Sequence, residues 1–596
     1  MERVADYVIS RLVENNIKHI FLITGRGILY LTDAVAKNKE IQGISTYHEQ
    51  GASYAAMAYA SAKDGMSACL VSTGCAATNA VTAALCAYQD NLPVIFISGQ
   101  NMLNETTRYT GVPIRTYGSQ EADIISVVEP ITKYAVMLDD PDKIKLEMDK
   151  AIYFANEGRK GPVWIDIPLD IQNARIDANT LIGWEISEKK LKVSDEDVKY
   201  IIDVYEEAER PVLFLGGGVR GSGAIKEVSA FVEKNNVPVV FSTSASDAYG
   251  TNHALSIGAV GSLGGSRAGN FAVQNADFIL VLGSKLCSQT TGASNQFARN
   301  AKVIVVDIDS KEHTKAGVNI DRVIIADIKE FMTETLAIEW KSADRFWVEK
   351  CLHWKEIFAL RNEDFIQEQL SQNKMDLYYF ADILSDKLPE DATVITDAGF
   401  EELIIPSSVR YKEKQRCLFS AAQGAMGYAI PAILGAHFAG RKHIVTVVGD
   451  GSFMMNMQEL LAISANHIPA KIFVINNNMY AVIRKRQKDL FRTRTIGNDP
   501  SDGVAAPDFQ KIAESFGIAY MSITKPEQLA AGIEQVLTSD ETYICEVSCV
   551  EEQKYLHMSF AINEEHKLVK RPLEDLSPFI DRDLFYSEMI VEPMWE

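Results

Sequence analysis

The sequence predicts an α/β protein with parallel sheets, divided among several domains. Short apolar runs rich in Val and Ile recur along the chain, and they include SACLVSTG, PVIFISGQ, RPVLFLGGG, DFILVLGS and HIVTVVGDG. Runs of this kind are typical of strands buried on both faces. Because helical stretches separate them, the strands are expected to form parallel sheets. The length of 596 residues corresponds to three or four domains at roughly 100–200 residues per domain.

Two polar stretches predict where the domains join. One covers residues 176–197 and contains the charged run SEKKLKVSDED, and the other covers about 338–374 and is helical in pattern. We therefore predict domains at 1–180, 195–337 and 370–550, followed by a tail at 551–596. The helical stretch is expected to cap the domain that follows it.

Composition excludes several classes of partner. The formal net charge of -21 argues against nucleic-acid binding, because phosphate contacts need clustered Lys and Arg, and against an anionic membrane surface. The start, MERVADYVISRLVENN, lacks the pattern of a signal peptide, and no run approaches the ~18 apolar residues of a spanning helix. The eight cysteines are scattered without a CxxC pair, as expected of free thiols. These features predict a cytoplasmic protein.

One segment, VTVVGDGSFMMNMQEL followed by AKIFVINNNMY, has the residues that a hard cation requires. Each half follows a predicted buried strand, and ligands of parallel sheets bind at the carboxyl ends of strands. Asp450 offers a carboxylate oxygen and Asn477 an amide oxygen, both suited to Mg²⁺. Gly449 and Gly451 let main-chain N–H groups approach phosphate, and Ser452 begins a helix whose N-terminus attracts anions. Either half alone is typical of a plain turn, whereas the two together predict a magnesium and diphosphate site.

GDGS followed by an Asn pair at this spacing resembles the signature of thiamine-diphosphate enzymes. The chain as a whole resembles the large subunit of acetohydroxyacid synthase. The resemblance implies three flavodoxin-like or Rossmann-like α/β domains, which are a pyrimidine-binding, a middle and a diphosphate-binding domain. It implies that Asp450, Asn477 and the main-chain carbonyl of Met479 bind Mg²⁺. It also implies a homodimer or homotetramer in which Glu49 and Asp450 of different subunits meet.

The segment STYHEQGASYAAMAYA resembles the HEQ motif of the same family. In that family a Glu protonates N1′ of the aminopyrimidine, and the imino form at N4′ then removes the proton from C2 of the thiazolium. The resemblance assigns this role to Glu49. Taken alone, Glu49 is interpreted as a helix N-terminal charge that complements the helix dipole.

The segment SAAQGAMGYAIPAILGAH resembles the family's G-x-M-G-x-x-x-P pattern. The resemblance implies that the carbonyl of Gly424 accepts a hydrogen bond from N4′ and that Met426 supports the bent cofactor. A Met on a helix is ordinarily core filler, so this assignment depends on the resemblance. The same resemblance makes Gln120 an active-site residue, and it makes Asn79 and Gly399 cofactor contacts.

The chain departs from the synthases at positions expected to face the substrate. Arg26 follows Gly25 where the synthases have a second Gly, and Ser119 replaces a Phe. Arg486 replaces a Trp that helps to select a small 2-ketobutyrate acceptor. This replacement argues against true acetolactate or acetohydroxybutyrate synthesis.

Two further departures concern cofactors. Residues 399–402, Gly-Phe-Glu-Glu, stand where the family carries a Gly-Gln-His that touches the diphosphate, which puts that contact in doubt. The middle domain of the synthases binds FAD as a structural relic. The residues that could still bind it here are Gly216, Gly217, Gly218 and Arg267. The family's residues are missing at Lys285, Ser288 and Gln289, and the resemblance leaves the presence of FAD open.

The sequence thus predicts a carboligase that decarboxylates a pyruvate-like 2-keto acid and transfers the acyl carbanion to a carbonyl acceptor. Arg26 and Arg486, with the neighbouring Arg484 and Lys485, predict an anionic acceptor such as a phosphorylated or nucleotide-linked keto sugar. A simple 2-keto acid decarboxylase, a C–C hydrolase of a cyclic dione and a non-catalytic paralogue remain alternatives. The retained Glu49 argues against the last. The tail is interpreted either as a lid over the site or as a helix docked for stability.

Overall fold

A computed structural model describes residues 1–185, 193–562 and 566–594. It contains three six-stranded sheets, and within each sheet all neighbouring strands are parallel. The predicted α/β class is therefore confirmed. Part of the predicted linker run at 187–197 lies outside the described residues. No helix within the described ranges is both long and apolar enough to cross a membrane.

The first sheet has the spatial order β2-β1-β3-β4-β6-β5. Its strands are β1 (His19–Leu22), β2 (Gln42–Ser45), β3 (Ser67–Val71), β4 (Val94–Gln100), β5 (Tyr134–Met137) and β6 (Val163–Pro168). Strands β3, β4 and β6 are buried along their whole length, as the apolar runs predicted. The helices of this domain are Val4–Glu14, Leu29–Lys37, Glu49–Lys63, Cys75–Asn79, Val81–Gln89, Thr107–Thr110, Ile124–Val128, Ile144–Asn156 and Leu169–Asn173. A short antiparallel pair joins Glu2–Arg3 to Arg175–Ile176.

The middle sheet has the order β9-β8-β7-β10-β11-β12, which is the strand order of dinucleotide-binding folds. Its strands are β7 (Pro211–Leu215), β8 (Val239–Phe241), β9 (Ser256–Ala259), β10 (Phe278–Leu282), β11 (Lys302–Asp307) and β12 (Arg322–Ile325). The helices are Asp195–Glu207, Gly218–Gly221, Ile225–Asn235, Arg267–Asn275, Ser288–Thr291 and Ile328–Leu336.

The third sheet repeats the strand order of the first, as β14-β13-β15-β16-β18-β17. Its strands are β13 (Thr393–Thr396), β14 (Arg416–Leu418), β15 (Ile444–Gly449), β16 (Lys471–Asn476), β17 (Ala519–Ile523) and β18 (Tyr543–Ser548). The helices are Leu377–Lys387, Phe400–Ser408, Ala429–Phe438, Asp450–Phe453, Glu459–Ala465, Ala481–Phe491, Phe509–Phe516 and Leu529–Thr538. The chain reverses direction across the sheet between β13 and β15, and ligands bind at the carboxyl end of such a switch point.

The first and third domains pack through the helices Glu49–Lys63 and Ala429–Phe438. A β-carbon at Gly435 would collide with the carbonyl oxygen of Ala55. Only glycine therefore allows these two helices to approach so closely. The contact fixes the helix that Glu49 begins against the domain that carries the diphosphate motif.

Arg416, at the start of β14, connects all three domains. Its guanidinium donates to Asp247 of the middle domain at 2.9 Å and to Asp64 of the first domain at 3.2 Å. Arg220 also donates to Asp247, at 3.2 Å. These two guanidinium groups hold the pKa of the buried Asp247 carboxyl below its ordinary value, against the opposing effect of burial.

The helical stretch that was expected to cap the third domain divides between two domains. Its first helix, Arg345–Ile357, packs on the middle domain, where Trp347 donates to a main-chain carbonyl of β7 at 2.9 Å. Its second helix, Asp364–Ser371, packs on the third domain through Phe365 and Tyr378. Only the second helix meets the expectation.

The tail leaves the third domain and docks on the middle domain. Phe585 is buried against Phe271, with ring centroids 5.9 Å apart. Glu588 accepts a hydrogen bond from the indole of Trp354 at 2.9 Å. These contacts match the interpretation of a helix docked for stability. The described residues of the tail form a small antiparallel sheet of Phe560–Ile562 and Leu568–Lys570, and a helix at Arg582–Glu588.

Candidate active site

The diphosphate motif lies at the carboxyl edge of the third sheet, where β15 leads directly into the helix Asp450–Phe453. Asp450 is buried. Its carboxylate accepts hydrogen bonds from the main-chain N–H groups of Gly451, Asn477 and Asn478, at 2.7, 3.1 and 2.6 Å. Burial raises the pKa of Asp450 to about 6, although these hydrogen bonds oppose the shift. One carboxylate thus joins the turn after β15 to the turn after β16.

The side chain of Asn477 has an unsatisfied acceptor. Its amide oxygen is buried and makes no hydrogen bond to any described residue. Such an atom is costly unless a ligand satisfies it. No group of three or more His, Cys, Asp or Glu in the described parts of the chain could hold a metal. The mixed oxygen set of Asp450, Asn477 and the Met479 carbonyl nevertheless suits Mg²⁺, and the unsatisfied amide oxygen fits that role.

The predicted cofactor-binding residues Gly399, Gly449 and Ser452 meet at the crevice between β13 and β15. The hydroxyl of Ser452 donates to the carbonyl of Ala398 at 3.3 Å. The carboxyl group of Glu401 lies against both Gly399 and Gly449. The crevice is the switch point of the third sheet, and a diphosphate bound there would face main-chain N–H groups.

Glu401 was not assigned a role from the sequence. It is 4% exposed, and no described side chain donates to it or pairs with it. Burial raises the pKa of Glu401 to about 8. A protonated Glu401 would not oppose an anionic diphosphate. The sequence signal that could have pointed to Glu401 was the departure from the family's Gly-Gln-His at 399–402. In this segment Phe400 packs into the core against Tyr555.

The loop predicted to bend the cofactor is anchored by Asp397, directly after β13. Its buried carboxylate accepts from the main-chain N–H groups of Gly427 at 3.0 Å and Ala429 at 2.7 Å. Gly424 and Gly427 have φ values of 57° and 83°, in the left-handed region that favours glycine. Met426 lies in this turn and not on the helix that follows, and its side chain is half buried. The role of Met426 as a support for the bent cofactor stays a prediction.

Glu49 begins the helix Glu49–Lys63, and His48 caps that helix by accepting from the main chain of Gln50 at 3.1 Å. The carboxylate of Glu49 accepts a hydrogen bond from the side chain of Asn79 at 2.9 Å. Asn79, predicted as a cofactor contact, therefore lies beside the predicted catalytic acid.

The third domain holds the loop that precedes Glu49. The buried carboxylate of Glu459 accepts from the main-chain N–H groups of Tyr47 at 3.1 Å and His48 at 3.0 Å. Burial raises the pKa of Glu459 to about 7. The sequence placed Glu459 in a helix and gave it no role, because its partners lie more than 400 positions away. None of the hydrogen bonds found among described residues links Glu49 to the diphosphate motif or the bending loop.

Two predicted substrate residues, Arg26 and Ser119, and the predicted active-site residue Gln120 line one pocket of the first domain, with Gly25 beside them. The pocket lies at the carboxyl ends of β1, β3 and β4, and its other lining residues include Thr73, Gln100, Asn101 and Glu105. Arg486 does not line it. That residue lies on the exposed helix that follows β16 in the third domain.

The basic run around Arg486 is mostly neutralised. Arg484 pairs with Asp499 at 2.9 Å, and Lys485 pairs with Asp489 at 3.0 Å. Arg486 is exposed and has no partner in the described part of the chain. Of the three adjacent cations Arg484, Lys485 and Arg486, only Arg486 lacks an ion-pair partner among the described residues.

The geometry defines an α/β enzyme whose third domain is suited to a magnesium-bound diphosphate and whose first domain presents a glutamate at a helix start. Three family models match the chain. They are described as thiamine pyrophosphate enzyme, N-terminal TPP binding domain at residues 2–127, central domain at 198–335 and C-terminal TPP binding domain at 397–547. The chain belongs to the thiamine pyrophosphate enzyme family, which confirms the resemblance.

Its curated relatives carry a common name. The chain is 30% identical over 562 residues to the acetolactate synthase large subunit of Lactococcus lactis, covering 92% of this chain and 93% of the relative. It is 30% identical over 561 residues to a probable acetolactate synthase large subunit of Methanocaldococcus jannaschii, with 91% of each covered. It is 29% identical over 550 residues to the isozyme 2 large subunit of Escherichia coli, with 91% and 95% covered. The similarity extends over all three domains.

Proposed function

We propose that the protein decarboxylates a pyruvate-like 2-keto acid and transfers the acyl unit to a carbonyl acceptor. The observation that carries this proposal is the buried Asp450 turn with the unsatisfied amide oxygen of Asn477. Membership of the thiamine pyrophosphate enzymes gives that site its cofactor. Similarity to acetolactate synthases along more than nine-tenths of the chain favours carboligation over simple decarboxylation or C–C hydrolysis, and the retained Glu49 argues against a non-catalytic paralogue.

Each predicted site residue would have its own role in this reaction. When bound, thiamine diphosphate supplies a nucleophilic carbon and an electron sink. Asp450, Asn477 and the Met479 carbonyl would hold Mg²⁺ and thereby the diphosphate. Glu49 would hold a proton at N1′ of the pyrimidine, and the Gly424 carbonyl would accept a hydrogen bond from N4′. The half-buried Met426 beside Gly424 would support the bend.

Product analysis tests the proposal. The protein is incubated with thiamine diphosphate, Mg²⁺, pyruvate and a panel of keto acids and keto sugars, and the products are identified by mass spectrometry. We expect CO₂ release together with a ligated product. Release of an aldehyde alone would indicate a decarboxylase, and cleavage of a cyclic dione without CO₂ would indicate a hydrolase. Absence of all three would contradict the proposal.

The active unit is proposed to be a homodimer or a homotetramer of such dimers. Two observations support it. No hydrogen bond between described residues of one chain links the Glu49 side chain to the diphosphate motif, and Met454, Met455 and Leu461 next to that motif are exposed apolar side chains. Glu49→Ala and Asp450→Ala proteins, each inactive, should regain activity when co-expressed, because a mixed dimer holds one intact site. No recovery in verified mixed dimers would place the site within one chain.

In the middle domain, residues that were expected to bind a flavin make other contacts within the protein. Arg267 is buried and pairs with Glu363 at 2.7 Å, and it also donates to the main-chain carbonyl of Leu576 in the tail at 3.1 Å. Gly216 and Gly218 lie against the main chain of Gly283. We therefore propose that the protein functions without FAD. The absorbance spectrum of the purified protein checks this, since a band near ~450 nm is a general property of oxidised flavin cofactors.

An anionic acceptor is proposed on the basis of Arg26 and Arg486. Arg26 is exposed at the rim of the first-domain pocket, and Arg486 is free of partners in the described structure. In a dimer whose active site combines the first domain of one chain with the third domain of the other, both side chains could approach one substrate. Guanidinium groups bind phosphate or carboxylate oxygens bidentately.

A cytoplasmic location is proposed as well. All eight cysteines are free, and four of them are buried without forming a disulfide. Unpaired thiols throughout a chain are typical of proteins from a reducing compartment.

A further inference from the structure

Glu402 is a carboxylic acid at the cofactor crevice, and the proposed reaction has so far given it no role. It follows Glu401 in the helix Phe400–Ser408, which starts at the carboxyl end of β13. A β-carbon built on Gly424 would lie 2.5 Å from Oε2 of Glu402, so the carboxyl group packs directly on this glycine. The Gly424 carbonyl is the group that would bind N4′ of the pyrimidine. Glu402 therefore lies toward the reacting end of the cofactor, whereas Glu401 lies toward the diphosphate.

The surroundings of Glu402 favour the protonated acid. The charged groups that face it are the carboxylates of Asp397, at the end of β13, and Asp90 of the first domain. Burial, reinforced by these two carboxylates, raises the pKa of Glu402 to about 8. No described side chain donates a hydrogen bond to Glu402 or forms an ion pair with it. Glu402 is only partly buried, so its carboxyl group can contact a bound substrate.

We propose that Glu402 is a further catalytic residue, the general acid that protonates the carbonyl oxygen of the acceptor. The inference depends on the proposed carboligation and adds a residue to it. Two observations carry it: the packing of the carboxyl group on Gly424 in the cofactor crevice, and the lack of a protein partner within the described structure. An acid that is neutral at the working pH and free of protein partners is suited to give its proton to a substrate.

Glu402 recovers its proton within one reaction cycle, and the one proton that the overall reaction takes up when the 2-keto acid carboxylate leaves as CO₂ comes from solvent. As the new carbon–carbon bond forms, the electron pair of the acceptor C=O bond moves to oxygen, and that oxygen takes the proton of Glu402. The Glu402 carboxylate would then accept the proton of the donor-derived hydroxyl group as that group becomes the ketone of the product, while the bond between the transferred carbon and the cofactor breaks and its electron pair stays with the cofactor. The step consumes no oxidant or reductant.

The test compares Glu402→Gln with Glu390→Gln, whose exposed carboxylate in the same domain pairs with Lys412. CO₂ release is measured in a single turnover of carboxyl-labelled pyruvate. Ligation is measured with the donor and acceptor found by the product analysis. We expect Glu402→Gln to lower ligation by roughly 10²-fold, the effect of a general acid, and to lower CO₂ release much less. Glu390→Gln should change neither rate.

Two further measurements separate a catalytic role from a structural one. The ligation rate of the wild-type protein should fall as pH rises through about 8, because a general acid must carry its proton, and Glu402→Gln should lose this limb. The infrared difference spectrum between the wild-type holoenzyme and Glu402→Gln should contain one protonated carboxyl band that disappears over the same pH range, because Glu401, whose pKa is also raised to about 8, contributes equally to both proteins.

Three outcomes are distinguishable. Ligation and an alkaline limb that are unchanged in Glu402→Gln would overturn the acid role. Equal loss of CO₂ release and ligation would also overturn it, because the residue would then act in cofactor activation. If the wild-type protein released no CO₂ from any 2-keto acid, the proposed function itself would fail, and the inference with it.

Discussion

The carboxylate of Glu459 accepts a hydrogen bond from the main-chain N–H of His48 at 3.0 Å, one residue before Glu49. Glu459 belongs to the helix that follows the diphosphate turn, whereas His48 belongs to the first domain. The same carboxylate also accepts from Tyr47. One buried acid therefore connects the loop that positions Glu49 to the domain that would bind the metal, and we regard Glu459 as a positioning residue.

The first prediction concerns this positioning. Glu459→Ala should slow C2 proton exchange of bound thiamine diphosphate by about ten- to hundredfold, because small displacements of a catalytic group are costly. Cofactor affinity should change little, since Glu459 is not among the proposed metal ligands. Glu459→Gln keeps one acceptor oxygen and should recover part of the rate. A normal exchange rate in the Ala variant would show that the loop holds its position without Glu459.

The second prediction concerns the metal. Asp450→Ala should abolish Mg²⁺-dependent retention of thiamine diphosphate, because Asp450 is the only charged side chain among the proposed metal ligands. Calorimetric titration with cofactor and Mg²⁺ measures the loss. Asp489→Ala provides the control, since that carboxylate lies on an exposed helix and pairs with Lys485. Equal affinity in wild type and Asp450→Ala would mean that the metal binds elsewhere.

The third prediction concerns the junction of the three domains. Arg416→Met should destabilise the protein by about 3–5 kcal/mol, because it leaves the buried Asp247 carboxylate without one of its two guanidinium partners. Arg345→Met removes an exposed ion pair with Glu349 and should change the stability far less, because solvent screens exposed charges. Urea unfolding compares the two variants. Similar losses of stability in both variants would show that the ion pairs at the domain junction contribute little to the stability of the protein.

The fourth prediction concerns the acceptor. Arg486→Ala should raise the acceptor KM about tenfold or more, since a charge-assisted hydrogen bond contributes about 1.5–3 kcal/mol. Donor decarboxylation should stay close to normal. Lys485→Ala is the matched control on the same helix, because Lys485 is already paired with Asp489. If donor and acceptor steps were impaired together, Arg486 would bind the donor or support the fold. If neither the donor step nor the acceptor step changed, the acceptor would not contact Arg486.

Features that depend on local sequence could be predicted. The uninterrupted apolar runs located the buried strands, because a strand covered on both faces leaves a continuous pattern. Asp450 and Asn477 were identified together because each directly follows such a strand. The turn that contains Met426 was placed on a helix, since the apolar segment that follows it hides where the helix begins at Ala429.

Features that depend on distant partners could not be predicted. Arg484 belongs to a basic run in the sequence, yet its charge is balanced by Asp499 and by Glu552 from beyond β18. The sequence also did not show that Arg267 pairs with Glu363 and donates to the tail, which supports the proposal that the protein functions without FAD. The raised pKa of Glu402 arises from burial and from Asp90 of another domain, so it became visible only in the folded chain.

The most direct test of the account is C2 proton exchange of thiamine diphosphate bound to wild-type protein and to Glu49→Ala, measured by quenched-flow NMR. The wild-type protein should accelerate exchange, and Glu49→Ala should lose ~10²–10⁴-fold, the usual contribution of a general acid–base group, while cofactor binding and folding stay intact. An exchange rate in Glu49→Ala equal to that of the wild type would contradict the assignment of Glu49 and the mechanism built on it.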